Sequence, residues 1–323
     1  MWRYAEMLPL RDLKHRVTLG EGMTPMLEWP TLAAFYGLEN LTVKDEGVNP
    51  TGSFKARGIA MAVSKAIELG INSFVIPTAG NAGVALSAYA TASGSKATVV
   101  MPRKTPGYFI EQCEHYGADL ILIDGLIDVC GKTAAELAHT CGSFNLSTMK
   151  EPYRLEGKKT MGYELAEQLN WQLPDAIIYP TGGGTGLIGI WKAFREMIDL
   201  GWISGKLPKM IAVQSEVCCP AMDRSLGRAD RGSRYEMSIA NGLSVPKAFG
   251  EDMIMEVLHE SGGSAVTVSE REIFQSQNEI AAMENRMISA EGAAAWGAVK
   301  KLVQSQRIRL DSKILLLNTG KGH

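Results

Sequence analysis

Short apolar runs separated by stretches of helical periodicity dominate this chain. Leu41–Lys44, Phe74–Thr78, Ala97–Met101, Asp119–Ile123, Ala176–Tyr179, Met210–Ser215 and Lys313–Leu317 read as strands, several of them apolar throughout and so buried on both faces. Between most of them the spacing predicts helices. The clearest run from Phe54 to about Leu69, where Gly70 stops the pattern, along the alanine-rich Val84–Ala92, and from Leu187 to Leu200. Strand–helix alternation of this kind predicts an α/β fold with parallel sheets. Clusters of Gly, Asn and Ser at Gly142–Asn145 and Gly227–Ser233 predict loops. With 323 residues, the chain is long enough for two lobes rather than one. The expected division is a small mobile lobe at 61–148 and a large lobe made of 1–60 plus 149–323, with a hinge at Met149, Lys150 and Glu151. Ligand is then expected in the cleft at the carboxyl ends of the strands, with the small lobe closing over substrate.

The chemistry gathers at the turns. In Asn49-Pro50-Thr51-Gly52-Ser53-Phe54-Lys55, turn residues lead into a helix for which Ser53 is a suitable N-cap. Lys55 therefore falls in the first helical turn, where unpaired N–H groups and the helix dipole already supply positive potential. A structural lysine suits the other end of a helix. An amine here suits a nucleophile or general base, against the alternative of a solvated surface lysine. A second turn, Pro77-Thr78-Ala79-Gly80-Asn81, opens the next helix, and Asn81 is either its cap or a donor to a ligand.

The third is Tyr179-Pro180-Thr181-Gly182-Gly183-Gly184-Thr185-Gly186, set between a strand and a helix. Glycines there let several N–H groups converge on one phosphate in front of a helix N-terminus. Gly184-Thr185-Gly186-Leu187-Ile188-Gly189 also matches the dinucleotide fingerprint, with Glu216 as its acidic partner, so a nicotinamide-dependent oxidoreductase stays open at this point. A dinucleotide would leave Lys55 without a role. A phosphate cradle plus a reactive amine suits pyridoxal 5′-phosphate.

Composition narrows the class without choosing the substrate. Net charge is -2 with no basic block, which speaks against nucleic acid, and no apolar run approaches the length of a membrane span. A cytoplasmic enzyme is expected. The five cysteines contain no C-x-x-C pair and the five histidines show no ligand spacing, so reduced thiols and no metal site are expected.

These motifs resemble the fold-type II pyridoxal phosphate enzymes, the tryptophan synthase beta-like superfamily. The stretch Asn49–Gly58, the Gly80-Asn81 turn, the glycine cradle and the ending Leu317-Asn318-Thr319-Gly320 occur there in this order. Within that family the chain is most similar to threonine synthases, through Leu19–Pro25 and Tyr153-Arg154-Leu155-Glu156-Gly157-Lys158-Lys159-Thr160. The resemblance implies two lobes with parallel twisted sheets and a homodimer. It implies that Lys55 holds the cofactor covalently, that Asn81 bonds the ring oxygen, and that Gly182, Gly183, Gly184, Thr185 and Gly186 hold the cofactor phosphate. Thr319 would meet the ring nitrogen. Thr78, Ala79 and Gly80 would bind the substrate carboxylate, and Arg154 and Lys158 a substrate phosphate, unless those two form a surface charge cluster with Glu151 and Glu156. The implied activity is a lyase that eliminates phosphate from O-phosphohomoserine and adds water to give threonine. Ala56, the Thr78-Ala79 pair and the Gly-Gly-Gly-Thr-Gly loop depart from the threonine synthase pattern. They leave open a β-replacing synthase acting on phosphoserine or acetylserine, or a serine/threonine ammonia-lyase. Glu291, in Ala290-Glu291-Gly292, either lines the site or complements a helix dipole.

Overall fold

Each expected strand forms within one residue of its expected ends in the computed structural model, which describes residues 1–125 and 127–322. Leu126 and His323 lie outside the described residues. The strands are β1 (Met26–Glu28), β2 (Asn40–Asp45), β3 (Ser73–Pro77), β4 (Lys96–Pro102), β5 (Asp119–Ile123), β6 (Phe144–Asn145), β7 (Ala176–Pro180), β8 (Lys209–Ser215), β9 (Ser264–Val268) and β10 (Lys313–Asn318). The α-helices are α1 (Pro30–Tyr36), α2 (Lys55–Glu68), α3 (Asn81–Ala92), α4 (Gly107–His115), α5 (Ile127–Cys141) and α6 (Tyr153–Gln168), followed by α7 (Thr185–Asp199), α8 (Pro220–Ser225), α9 (Glu251–Glu260), α10 (Glu270–Glu284) and α11 (Ala290–Gln304). Among the described residues no helix is long and apolar enough to cross a membrane.

The sequence pattern misses β1, β6 and β9. β1 and β6 are too short to show a period, and β6 occupies part of the segment expected to be a loop, where Phe144 pairs with Phe74 of β3. In β9 the polar Ser264 and Thr267 interrupt the apolar run.

The chain divides into two compact units, Met1–Gly22 with Asn49–Thr160, and Met23–Val48 with Met161–His323. The expected small lobe at 61–148 falls wholly inside the first unit, which also takes in the N-terminal residues and the turn that carries Lys55. Residues 1–22 belong there because they pack on α2. Met1, Leu8 and Leu10 join its core, and Val17 N–H donates to Ser64 Oγ at 2.9 Å.

The first unit is built on an all-parallel sheet in the order β5-β4-β3-β6. Phe74, Val75 and Ile76 of β3 are fully buried, as the continuous apolar run requires. Helix α2 buries every residue from Ala56 to Ala66, and a buried Ile59 or Val63 contributes roughly 1.5–3 kcal/mol each. Its end follows from Gly70, whose φ of +78° is cheap only for glycine, and Ile71 N–H closes the last turn on Ala66 O at 2.8 Å. Alanines let α3 pack closely along α2.

The second unit carries the sheet β1-β2-β10-β7-β8-β9, parallel except for the edge strand β1. Its core holds Trp29 edge-on to Trp296, with ring centroids 6.1 Å apart. A buried ion pair ties β2 to α6. Lys44 Nζ lies 2.5 Å from Glu164 Oε1 and also donates to Thr24 O and Gln168 Oε1, each at 2.6 Å. Glu164 in turn accepts the Met23 and Thr24 N–H groups, both at 2.8 Å, which fixes the chain entering β1.

Candidate active site

Within the first unit, Lys55 is the first residue of α2. Ser53 does not cap this helix as expected. Phe54 occupies the cap position without a side-chain bond, and Ser53 Oγ lies a long 3.4 Å from Lys55 N. The turn before it is fixed instead through Asn49, whose Oδ1 accepts Gly22 N–H at 3.1 Å and whose carbonyl accepts Gly52 N–H at 2.7 Å.

Two glycines then decide what stands beside Lys55. A Cβ on Gly58 would lie 2.7 Å from Arg154 O and 3.0 Å from Lys158 Cε, and one on Gly157 would lie 2.2 Å from Arg57 O. Only glycine at both places lets α2 and α6 approach this closely. The approach brings Lys55 and Lys158 to the same aromatic ring, with their Nζ atoms 4.0 Å and 5.1 Å from the Phe54 centroid. The alternative of a surface charge cluster does not hold, because Lys158 and Arg154 are 0% and 2% exposed. Arg154 donates from Nη1 to Leu146 O at 2.6 Å, and Thr148 Oγ1 lies 3.4 Å from the same nitrogen. Lys158 is held well below the ordinary lysine range by burial, then by Arg154 and by Lys55, while Glu151 pulls the other way. The buried Arg154 guanidinium and Lys158 amine, the first facing Glu151, make a corner of the unit that suits an anion.

The Thr78–Asn81 turn stands at the carboxyl end of β3. Asn81 is the first residue of α3 rather than its cap; Gly80 holds that position. Thr78 Oγ1 accepts Gly80 N–H at 3.2 Å, and Gly83 fits against Thr78 Cγ2, where a Cβ would come within 2.7 Å.

In the second unit the glycine run links β7 to α7. The helix starts at Thr185, earlier than the periodicity suggested, so Thr185 and Gly186 already belong to its first turn. Gly184 occupies the cap position with φ of +76° and makes no side-chain bond to the first-turn N–H groups. Gly182 packs on Gly242, where a Cβ would sit 2.1 Å from the Gly242 carbonyl oxygen. Glu291 holds that neighbouring strip, its Oε1 accepting Gly242 N–H at 2.7 Å. Glu291 also lies in the first turn of α11, as the helix-dipole alternative has it, and the bond to Gly242 is a role the sequence did not suggest. Thr319 is buried and follows β10, whose pairing with β7 sets Leu316 opposite Ile178. Thr319 and the glycine run therefore leave the sheet at the same edge from neighbouring parallel strands, the usual place for ligands in such sheets. A helix start without a side-chain cap, behind Gly182 and Gly184 where an added Cβ would meet Gly242 O at 2.1 Å and Ile254 at 2.4 Å, fits a phosphate group. Glu216, the acid that a dinucleotide would need, is instead paired with Lys301 at 3.2 Å.

Sequence reasoning passed over Phe54 and Gly242. Neither carries a chemical signal of its own, and each matters only through what it touches.

A family model described as pyridoxal-phosphate dependent enzyme matches residues 17–320. The threonine synthase of Methanocaldococcus jannaschii is 34% identical over 331 residues, covering 100% of this chain and 80% of that protein. The threonine synthase of Methanosarcina acetivorans is 34% identical over 323 residues, covering 99% of this chain and 79% of that protein. Among solved structures, maize serine racemase superposes with a TM-score of 0.81 at 21% identity, over 97% of this chain and 92% of that one, a likeness of fold.

Proposed function

Because this chain belongs to the pyridoxal-phosphate dependent enzymes, we propose that it is a threonine synthase-like lyase that takes O-phosphohomoserine to threonine and phosphate. The observation that carries the choice of substrate is the burial of Lys158 beside Lys55, with the buried Arg154 acting on Lys158. Buried cations at the reactive amine's corner of the unit suit a substrate that brings its own phosphate. Family membership also removes the nicotinamide alternative.

The residues divide the work as follows. By likeness to the family, Gly182 to Gly186 and the start of α7 would hold the cofactor phosphate, Asn81 the ring oxygen and Thr319 the ring nitrogen. When bound, pyridoxal phosphate supplies a conjugated ring that accommodates negative charge at the substrate Cα. Lys55 anchors the cofactor and moves the proton at Cα, serving as base and then as acid. Thr78, Ala79 and Gly80 orient the substrate carboxylate. Arg154 and Lys158 bind the phosphate at the far end of the substrate and stabilise it as it leaves from Cγ. A homodimer is the proposed assembly, which light scattering tests.

The deciding experiment follows phosphate and threonine together with O-phospho-L-homoserine as substrate. Equal amounts of both establish the reaction. A protein that keeps its cofactor but releases no phosphate refutes the proposal, and phosphoserine, serine and threonine are then the substrates to try.

A further inference from the structure

A carboxylate stands where an anion is proposed to bind. Glu151 is 8% exposed, and its Oε2 accepts the Arg154 N–H at 3.0 Å. Its Oε1 is buried with no hydrogen-bond partner among the described residues, and Arg154 Nε is buried in the same condition. The charged groups facing Glu151 are Arg154 and Lys158 on α6, and Lys158 in turn faces Lys55 at the start of α2. Burial pushes the Glu151 carboxyl up, against the pull of Arg154 and then Lys158.

A dianion entering this corner meets cations that Glu151 already neutralises in part. Two anions sharing one desolvated site repel, and the cheapest relief is for one of them to take a proton. Glu151 is built to do so, because protonation at Oε1 turns an unsatisfied buried acceptor into a donor for the incoming oxygen.

We propose that Glu151 is the proton-linked partner of the phosphate site: a phosphate monoester enters beside Arg154 and Lys158 together with one proton from solvent, which forms an O–H bond at Glu151 Oε1. The proposal rests on the phosphate-site assignment above. Nothing is oxidised or reduced, and the proton returns to solvent when the anion leaves. Glu151 is thus a positioning residue that sets the pH range in which a phosphorylated substrate is accepted.

Sulfate is the suitable probe, since it stays dianionic across neutral pH and carries no proton itself. Calorimetry on the holoenzyme, in buffers of different ionisation enthalpy, reads protons taken up per sulfate bound. The expected result is an uptake approaching one proton, with affinity falling about tenfold per pH unit above the free Glu151 pKa. Glu151→Gln should lose that uptake and bind sulfate more tightly than the wild type at high pH. Sulfate binding that depends on Arg154, tested with Arg154→Met, but brings no proton with it overturns this proposal alone. Equal uptake in Glu151→Gln also overturns it, since the proton then goes to Lys158. No sulfate binding, or binding indifferent to Arg154→Met, overturns the phosphate site as well.

Discussion

At Lys55 a single amine at the start of a long helix was enough to direct attention to the site, because residue type and helix position are both written in the sequence. Its surroundings were not. Lys158 meets that amine over the Phe54 ring only through folding, and the burial of Lys158 and Arg154 removed the alternative of a surface charge cluster. Replacing Lys55 with Ala is expected to abolish both turnover and the absorbance of protein-bound cofactor; a spectrum unchanged from the wild type would refute the assignment. At Gly182 the outcome is steric. A Cβ there would lie 2.1 Å from the Gly242 carbonyl, so Gly182→Ala must displace one wall of the cradle. Cofactor retained after dialysis should drop severalfold while the fold, followed by circular dichroism, persists. The glycine run between strand and helix was legible in the sequence, but its contact with Gly242 and the Glu291 tether behind it were not, since residues 182, 242 and 291 share no local pattern.

Element boundaries followed the hydrophobic pattern closely, and the largest shifts fall at the starts of α3 and α7. Both α3 and α7 begin earlier than their apolar periodicity, because their first turns are made of Asn, Gly and Thr that present backbone rather than apolar side chains. The crossing of α2 and α6 is decided by Gly58 and Gly157. In an exposed helix, Gly→Ala stabilises by up to about 1 kcal/mol through propensity. Here the added carbon at Gly157 would sit 2.2 Å from Arg57 O, so the sign reverses. Gly157→Ala is expected to destabilise by roughly 1–3 kcal/mol in urea unfolding, as overpacking does, and to weaken anion binding at Lys158. A neutral or stabilising effect would mean that the helices do not cross this closely. The segment after α8 offers a pH test. Burial alone would raise the Asp223 carboxyl, but Arg231 Nε at 2.7 Å and the Tyr235 hydroxyl at 3.1 Å hold it below its ordinary value of 3.8. Because the folded value is the lower one, this stabilisation is complete above the unfolded pKa and is lost as pH falls through the folded one. Amide exchange in 217–235 should therefore accelerate on acidification below about pH 4 in the wild type, and Asp223→Asn should remove that dependence.

For the molecule as a whole, stability depends on pairings between distant parts of the chain. Lys44 and Glu164 are fully buried partners, and removing one member of a buried ion pair is costly. Glu164→Ala is expected to cost about 3–5 kcal/mol in urea unfolding, whereas replacing both partners with apolar residues of similar volume should cost far less. Equal losses in the single and double variants would show that packing, not charge, decides the effect. The contrast also marks the limit of what a sequence can express. Strand–helix alternation, the parallel α/β class, the amine at a helix start and the glycine cradle are local patterns, set by periodicity and turn chemistry over a few residues, and the sequence by itself determined them. Which residues join which compact unit, how glycines on α2 and α6 bring Lys158 to Lys55, and that Glu151 lies buried facing Arg154 and Lys158 were decided by tertiary structure alone. Burial and close approach are properties of pairs far apart in the chain, and they come into being only when the chain folds.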